Sequence, residues 1–372
     1  MSSQDAMPQF GWDDRLWADD GEGDRLQLVA AIDHSLAYLS TPAASLAYDG
    51  YPVPEFTRNR VQRSLERFRH LLVTFSSAEA LQRAVLEEFD VYRSIGRDGV
   101  GTVDFTGYFE PTYTASRVPT PDYRYPLYRL PPDFDTWIEP HPTRLDLEGQ
   151  DGLRGAQGQL GGQELVWLGD RLEAFLIQVQ GSARLQLTDG TEMSVGYAGR
   201  TNYPYQSIGR LLIDDGHVPE EGLSLPKVLE FFDQNPTTLD DYLPQNNRFV
   251  FFRETYGVPP HGTLSVPVTP ERSIATDKSI MPPGALAVIV TDLPFLSTEL
   301  AVVHTPRQEF EESRSPHFTH RPVSRYVLDQ DTGGAIRGPG RVDVFMGTGH
   351  VAGDRAGLMN TPGELYYLLL RD

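Results

Sequence analysis

The sequence predicts a protein of the α+β fold class that is mainly β, with helices first and barrel-like β parts after them. Apolar residues recur at three- and four-residue steps through the first hundred residues, which is the period of amphipathic helices. From Val103 onward, short runs of β-branched and aromatic residues alternate with Pro and Gly turns, as is typical of strands. Few helical stretches separate these runs, whereas a doubly wound parallel sheet places a helix after each strand. The order therefore favours barrel-like β parts over a doubly wound sheet.

Three helices are predicted before residue 100. Stretches 24–41 and 57–75 each carry an apolar stripe at helical spacing, and each stripe must be covered by another part of the protein. Ser76 and Glu79 have the three-residue spacing of a capping box, which predicts the start of a third helix over 78–92.

Strands with a hairpin, followed by two short helices, are predicted in the middle of the chain. The stretch 173–199 is rich in strand-forming residues, and Asp189-Gly190 within it is a favoured two-residue hairpin turn. Short helices are predicted over 207–215 and 225–233.

The last third of the chain is predicted to be a second β-rich block. A break rich in Gln, Asn and Pro covers 235–247. Strand-forming runs then continue from Phe249 to the end of the sequence.

The charge and the absence of cysteine exclude several classes of function. The 52 acidic residues outnumber the 32 basic ones and give a net charge of −20, which repels phosphate backbones and anionic lipid. We therefore expect no nucleic-acid partner and no electrostatic docking to membranes. Without cysteine the chain has no disulfide, thiolate metal site or cysteine nucleophile.

No segment of the sequence predicts a membrane span or an export signal. No apolar run approaches the roughly 20 residues that a membrane helix needs. The first residues are acidic and polar, where an export signal would be basic and then apolar. On these grounds alone, we expect either a cytoplasmic protein or a mature form from which an export segment has been removed.

The common metal and nucleotide motifs are missing from the sequence. It contains no P-loop pattern and no HExxH. His317 and His320 form an isolated HxxH in a polar stretch, which we interpret as surface residues because no third ligand is near. We therefore expect neither a metal ion nor a cofactor.

Two aspartates near the C-terminus are the best candidates for chemistry. Asp343 interrupts an apolar strand with Val on both sides, and alternation turns its side chain away from these neighbours. It is either a carboxylate facing a cleft or an ordinary solvent-facing residue. Asp331 precedes the pair Gly333-Gly334, which allows either close approach of a ligand or a tight turn.

A series of motifs then follows in order along most of the chain. They are GYFEP (107–111), YPLYR (125–129), QVQGS (178–182), GYAG (196–199), YQSIGRLLI (205–213), RSIATD (272–277), DTGGAI (331–336) and RVD (341–343). With these motifs the chain resembles the membrane-bound lytic murein transglycosylase A family, including its closing three-aspartate domain.

The resemblance implies a fold and a substrate. The fold is a double-psi β-barrel domain with N-terminal helices (1–112 and 252–372), a second, inserted β-rich and barrel-like domain (113–251), and a groove between them. The substrate is the glycan strand of peptidoglycan, which places the protein in the periplasm or cell envelope. The β-1,4 bond from N-acetylmuramic acid to N-acetylglucosamine would be broken without water, leaving a 1,6-anhydro end. We expect a monomer.

The resemblance also implies roles for single residues. Asp343 would be the only acid/base, since the C6 hydroxyl of the sugar acts as the nucleophile. We expect its neighbours Val342, Val344 and Phe345 to favour the protonated form by excluding water. Asp331 would stabilise positive charge, position Asp343 or simply hold a turn.

Asp277 is interpreted as a structural residue.

A further set of residues is interpreted either as sugar contacts or as ordinary strand residues. They are Tyr108, Gln178, Gln180, Ser182, Tyr197, Gly333 and Gly334. Two other functions stay open: a glycoside hydrolase on a related barrel, which usually needs two carboxylates, and a non-catalytic glycan-binding module.

Overall fold

The computed structural model describes residues 10–17, 23–219, 223–297 and 318–372. The helices in these ranges are α1 (Arg25–Leu39), α2 (Pro42–Tyr48), α3 (Arg58–Thr74), α4 (Ala78–Glu88), α5 (Arg144–Glu148), α6 (Arg171–Gln180), α7 (Ile208–Asp214), α8 (Leu225–Gln234), α9 (Leu239–Tyr242) and α10 (His350–Leu358). The strands are β1 (Phe89–Arg93), β2 (Val103–Glu110), β3 (Thr112–Ser116), β4 (Tyr125–Tyr128), β5 (Glu164–Leu168), β6 (Ser182–Leu187), β7 (Glu192–Arg200), β8 (Val250–Glu254), β9 (Ser273–Ala275), β10 (Leu286–Leu296), β11 (Phe318–Asp331), β12 (Arg341–Thr348) and β13 (Asn360–Leu370).

Six strands form a closed barrel. Their order is β13, β10, β11, β9, β12 and β2, and the pairing of β2 with β13 closes the ring. The pairs β11–β9 and β12–β2 are parallel, whereas the other pairs are antiparallel. Residues 286–289 of β10, with Val342 and Val344 of β12, are buried in the largest apolar core. The predicted fold class, helices followed by a β-barrel and further β structure, is confirmed.

The N-terminal helices α1 and α3 cover part of this barrel. They pack on each other and on β11 and β13. Their apolar stripes, represented by Leu28, Ile32, Leu65 and Phe68, are completely buried. Both predicted helices are therefore confirmed, and burial of the stripes explains why they form.

Side-chain caps fix where two of these helices begin. The Thr57 hydroxyl accepts a hydrogen bond from the Arg60 amide at 3.2 Å, and the Ser77 hydroxyl accepts one from the Ala80 amide at 3.2 Å. The predicted cap at Ser76 is wrong by one residue, because Ser77 is the residue whose hydroxyl reaches the free amide of the first turn.

The third predicted helix is shorter than expected. Helix α4 ends at Glu88, and residues 89–93 form β1, an edge strand that pairs with β13 outside the closed ring. Val91 and Arg93 are exposed while Asp90 and Tyr92 are partly buried, so this segment alternates with the two-residue period of a strand. The prediction of a helix to residue 92 is therefore wrong, since the free edge of β13 supplies a ladder of hydrogen bonds.

The remaining six strands form a second sheet in the order β4, β5, β3, β6, β7 and β8. Strands β6 and β7 make the predicted hairpin, and Gly190 in its turn has a φ of 84°, which favours glycine. Arg129, just after β4, bridges to Phe252 of β8, so the two edge strands approach each other. The sheet is thus barrel-like, as predicted.

One predicted strand segment is a helix. Residues 173–180 belong to α6, and the prediction of strand there is wrong. The Asp170 carboxylate accepts hydrogen bonds from the Leu172 and Glu173 amides at 2.6 and 3.1 Å, and Gly181 in the left-handed region ends the helix. A short apolar run that is buried on most sides has no clear period, so these terminal signals decide its structure.

The later helices follow the predictions with one exception. Helices α7 and α8 confirm the two short predicted helices, and α9 lies within the break at 235–247. The sequence does not predict α10, whose two glycines disfavour a helix. Close packing explains α10: a Cβ on Gly107 of β2 would lie 2.6 Å from the Ala356 Cα, so glycine lets the helix rest directly on the strand.

The barrel and the second sheet stand on the two sides of a cleft. The division of the chain into 1–112 with 252–372, and 113–251, stays a prediction. In the ranges described, no helix has both the length and the apolar character needed to cross a membrane.

Candidate active site

The cleft has a volume of about 950 Å³ and is lined from both sides. Thr106, Asp331 and Asp343 belong to its barrel wall, and Ser182 and Tyr197 belong to its second-sheet wall. The two aspartates singled out in the sequence therefore line the same cleft.

Asp343 lies in the middle of β12, opposite Thr106 of β2 and Ala275 of β9. The Thr106 hydroxyl donates a hydrogen bond to Asp343 Oδ1, and Arg341 Nε lies 3.1 Å from the same oxygen. Within the described ranges, Oδ2 has no hydrogen-bond partner, and the side chain is 16% exposed. One carboxylate oxygen is thus held by the protein while the other is open to the cleft.

The surroundings of Asp343 differ from the expectation in one respect. Val342 and Val344 point to the opposite face of β12 and are buried in the core, because side chains alternate along a strand. The expectation that they exclude water from the Asp343 carboxyl is therefore wrong. Phe345 does share the cleft-facing side, and Arg341 is the charged group nearest to the carboxyl.

Asp331, at the end of β11, has both carboxylate oxygens occupied. Its Oδ1 accepts hydrogen bonds from the Thr263 and Thr332 amides at 2.8 Å each. Its Oδ2 accepts one from the Tyr108 hydroxyl at 3.0 Å. Burial raises the pKa of Asp331 above its ordinary value, although these hydrogen bonds act in the opposite direction. Asp331 is therefore a firmly held group.

Asp277 joins two loops beside the cleft. Its Oδ1 accepts hydrogen bonds from the Ser279 amide and hydroxyl at 3.1 and 2.7 Å, and its Oδ2 accepts one from the Gly338 amide at 2.8 Å. Burial alone would raise the pKa of Asp277, but these hydrogen bonds and the charge of Arg337 hold it below its ordinary value. The contacts are those of a structural residue.

A buried polar group that the sequence did not reveal supports Asp331. Lys278 Nζ donates hydrogen bonds to the Asp331 backbone carbonyl and to the carboxylate of Asp329, which is completely buried. The Thr276 and Tyr367 hydroxyls also donate to Asp329, at 2.8 and 2.7 Å. The residues come from β11, β13 and the loop after β9, so only the closed barrel brings them together.

The predicted sugar contacts divide into two groups, of which the first lies on strands that line the cleft. Tyr197 is 43% exposed, and Ser182 lies on the neighbouring strand, opposite Gly196. Tyr108 reaches Asp331 through its hydroxyl, and its ring packs 5.2 Å from that of Phe345.

The second group, Gln178 and Gln180, lies on α6 rather than on a strand, and both amide oxygens are occupied. Gln178 Oε1 accepts hydrogen bonds from Arg144 at 2.7 Å and from the Val250 amide at 3.2 Å. Gln180 Oε1 accepts one from the Phe109 amide at 3.1 Å. These two glutamines connect parts of the protein, although both also line the cleft.

The pair Gly333-Gly334 lines the cleft, and Gly334 makes room for a side chain. A Cβ on Gly334 would lie 1.8 Å from the Arg248 Nη1, which a side chain at that position could not tolerate. At Gly334, therefore, the absence of a side chain makes room for Arg248 rather than for a ligand.

Sequence reasoning missed several polar residues that line the cleft. Arg341 stands two positions before Asp343 and so shares its face of the strand, a signal that alternation alone could have supplied. Thr106 and Arg248 lie far away in the sequence and carry no local pattern. Only the strand pairing of β2 with β12 brings Thr106 to Asp343.

No metal centre is apparent in the described part of the chain, where no three His, Asp or Glu side chains converge in a way that could hold an ion. His320 is exposed, and its Nε2 lies 3.1 Å from the Leu358 carbonyl. His317 lies outside the described residues.

Comparison with known families and proteins gives consistent results. The family model of the MltA specific insert domain matches residues 104–253, and that of the 3D domain matches residues 272–369. Membrane-bound lytic murein transglycosylase A of Escherichia coli K12 is 29% identical over 282 residues, which are 75% of this chain and 69% of the relative. The protein of the same name from Vibrio cholerae is 30% identical over 281 residues, which are 74% of this chain and 68% of the relative.

Solved structures agree over almost the whole chain. The membrane-bound lytic murein transglycosylase of Agrobacterium tumefaciens has a TM-score of 0.69 at 26% identity, covering 97% of each chain. E. coli MltA with bound chitohexaose has a TM-score of 0.67 at 26% identity, covering 94% of this chain and 90% of the other. The chain therefore belongs to the membrane-bound lytic murein transglycosylase A family.

Proposed function

We propose that the protein is a lytic transglycosylase that cleaves the β-1,4 bond between N-acetylmuramic acid and N-acetylglucosamine in peptidoglycan. The reaction consumes no water and leaves a 1,6-anhydro end on the muramic acid. The observation that carries the proposal is the carboxyl group of Asp343, which lines a cleft of about 950 Å³ and has one oxygen without a hydrogen-bond partner among the described residues. Family membership supports the substrate class.

A single carboxyl group can serve both halves of this reaction. In the first half, Asp343 donates a proton from Oδ2 to the glycosidic oxygen as the bond to C1 breaks. In the second half, the same oxygen accepts the proton of the C6 hydroxyl while the O6 atom attacks C1. Because the nucleophile belongs to the substrate, no second carboxylate is needed to activate water.

Thr106 and Arg341 orient Asp343 for this exchange. Both bind Oδ1, so the proton is carried by Oδ2, on the side open to the cleft. Arg341 also lies 3.4 Å from the Thr106 hydroxyl, so the three side chains form one group.

We assign Asp331 a positioning role. Its two oxygens accept three hydrogen bonds from the protein, so neither is available to exchange a proton with the sugar. Through the Tyr108 hydroxyl it fixes a ring that forms part of the cleft wall. Tyr197 on the other wall offers an exposed ring on which a sugar face can pack.

The proposed partner is a glycan strand, and the proposed place of action is the cell envelope, where that polymer is found. E. coli MltA binds chitohexaose, a neutral glycan, in one of its solved structures, which supports a glycan in the present cleft. We also propose that 113–251 forms the inserted domain that provides one cleft wall, and that the protein acts as a monomer.

Product analysis tests the proposed function. Purified sacculi incubated with the protein should release muropeptides with 1,6-anhydro ends, identified by mass spectrometry. Products with reducing ends would instead show a glycoside hydrolase. Binding to sacculi without release of any product would show a non-catalytic glycan-binding module.

A further inference from the structure

Three arginines on the cleft wall lack acidic partners. They are Arg200 at the end of β7, Arg248 just before β8 and Arg337 in the loop between β11 and β12, and we call them the arginine triad. In the described part of the chain, none of the three has a carboxylate within the 4.0 Å of an ion pair. The protein has 52 acidic and 32 basic residues, so three unpaired cations in one place are unusual.

Arg248 is the central member because it is buried. The residue is only 7% exposed, and its Nε donates a hydrogen bond to the Tyr203 carbonyl at 2.9 Å. Burial, together with the charges of Arg200 and Arg337, lowers the pKa of Arg248 to about 10. A buried cation without a counter-ion destabilises a protein, so it calls for a functional explanation.

Two other arginines of the cleft have acidic partners. Arg144 is buried too, but its Nη1 lies 3.3 Å from a carboxylate oxygen of Glu148 and its Nη2 donates to Gln178. Arg341 is paired with Asp343. Arg253 also lines the cleft without an ion pair in the described ranges, but it is exposed, so the buried cation that lacks a counter-ion is Arg248.

The arginine triad lies close to the proposed reaction centre. The Arg248 guanidinium packs on Gly334, in the loop that follows Asp331. The charges of Arg248 and Asp343 both act on the pKa of Tyr205, which also lines the cleft. A glycan that presents one sugar to Asp343 can thus bring a substituent of the same or a neighbouring sugar to Arg248.

We propose that the arginine triad is a subsite for a carboxylate carried by the glycan strand. This proposal rests on the proposed function, and it names the part of the substrate that the cleft recognises besides the sugars. Guanidinium groups match carboxylates through paired hydrogen bonds, and exclusion of water strengthens such contacts. The carboxylate has two sources: the peptide attached to the lactyl group, or the free lactyl group itself where the peptide has been removed.

Binding measurements with three probes test the subsite. The probes are neutral chitohexaose, peptide-free glycan strands with free lactyl carboxylates, and strands that carry their peptides. Every protein carries Asp343→Asn to prevent turnover, and the comparison is made within this background. The variants are Arg248→Gln, Arg248→Lys and Arg337→Gln. The control is Arg117→Gln, an exposed arginine outside the cleft.

We expect Arg248→Gln to weaken binding of a carboxylate-bearing probe by about ten-fold or more, while binding of chitohexaose is unchanged. Arg248→Lys should restore part of the loss because it restores the charge, and Arg337→Gln should show a smaller loss because this residue is exposed. A loss only with peptide-bearing strands assigns the carboxylate to the peptide. A loss with peptide-free strands assigns it to the lactyl group.

Two outcomes would overturn the subsite. One is an equal loss of affinity for neutral chitohexaose, which would make Arg248 a sugar contact or a structural residue. The other is that neither Arg248→Gln nor Arg337→Gln loses affinity for either charged probe. Arg337→Gln is included because it breaks no hydrogen bond of the described structure. Failure of the proposed function is recognised separately, since it would appear as missing anhydro products from sacculi with the wild-type protein.

Discussion

Replacement of Asp343 by Asn is the most direct test of the mechanism. Asparagine has the same shape, and its side-chain oxygen can still accept hydrogen bonds from Thr106 and Arg341, as Asp343 Oδ1 does. The amide that replaces Oδ2 cannot donate a proton to the leaving oxygen or accept one from the C6 hydroxyl. The change therefore removes the chemistry and keeps the architecture.

The substitution should change activity strongly and stability only slightly. A positioned acid or base contributes about 10²–10⁴ to a rate, and in the proposed mechanism Asp343 acts in both halves, so we expect activity to fall by at least about 10³-fold. The stability effect is small because the Arg341 partner is 38% exposed. An ion pair at such a site contributes about 0–1 kcal/mol, so the free energy of unfolding should change by no more than about 1 kcal/mol.

The assay compares release of soluble anhydromuropeptides from sacculi with thermal unfolding of the same samples. Asp354→Asn, which changes an exposed carboxylate on α10, is the matched control and should keep full activity. If Asp343→Asn retained more than about a tenth of wild-type activity, Asp343 would not be the acid/base.

Three further predictions concern other groups. Asp331→Ala should lower activity less than Asp343→Asn and reduce the free energy of unfolding by about 1–3 kcal/mol, because it leaves three hydrogen-bond donors without their acceptor; full activity with unchanged stability would contradict a positioning role. EDTA should leave the release of muropeptides unchanged, because the proposed reaction needs only proton transfer; recovery of a lost activity by added divalent metal would contradict this. Burial, assisted by Asp170, raises the pKa of Glu173 from 4.5 to about 7, so the folded state holds this proton more tightly and stability should fall as the pH rises between these values. Urea unfolding at pH 4.5 and pH 8 measures how much of the free energy of unfolding is lost between these two pH values. After allowance for the partial exposure of Glu173, this loss should be smaller by about 1–2 kcal/mol in Glu173→Gln than in wild type. Equal losses in the two proteins would refute the raised pKa of Glu173.

The elements that the sequence predicts well are those with a clear period or a clear turn. The stripes of α1 and α3 and the turn at Asp189-Gly190 are local signals, and the structure confirms them. The segment 173–180 has no clear period because it is buried on most sides, and α10 contains two glycines. Both form helices for reasons of capping or tertiary packing, which the local pattern of apolar residues does not contain.

The residues of the candidate site also divide into those that a local sequence pattern reveals and those that only the folded structure brings together. Asp343 is visible in the sequence because a carboxylate between two valines is unusual, and alternation along the strand points it away from them. Its partner Thr106 is invisible because only the pairing of β2 with β12 brings it near. Arg248 is likewise an ordinary residue until Gly334 of a distant loop is found against its guanidinium.

The closure of the barrel by β2 and β13 has a consequence for the order in which the molecule is made. All strands of the second sheet lie within 112–254, so this sheet is complete while most of the barrel is still unsynthesised. Strand β2 emerges before them, yet its two neighbours in the ring, β12 and β13, emerge only after the whole second sheet. Because non-local pairing is slow, β2 must wait for both of these strands before the ring can close. The barrel wall that holds Asp343 is thus completed after the second-sheet wall, and we expect the nascent protein to show no activity before β13 has joined the ring.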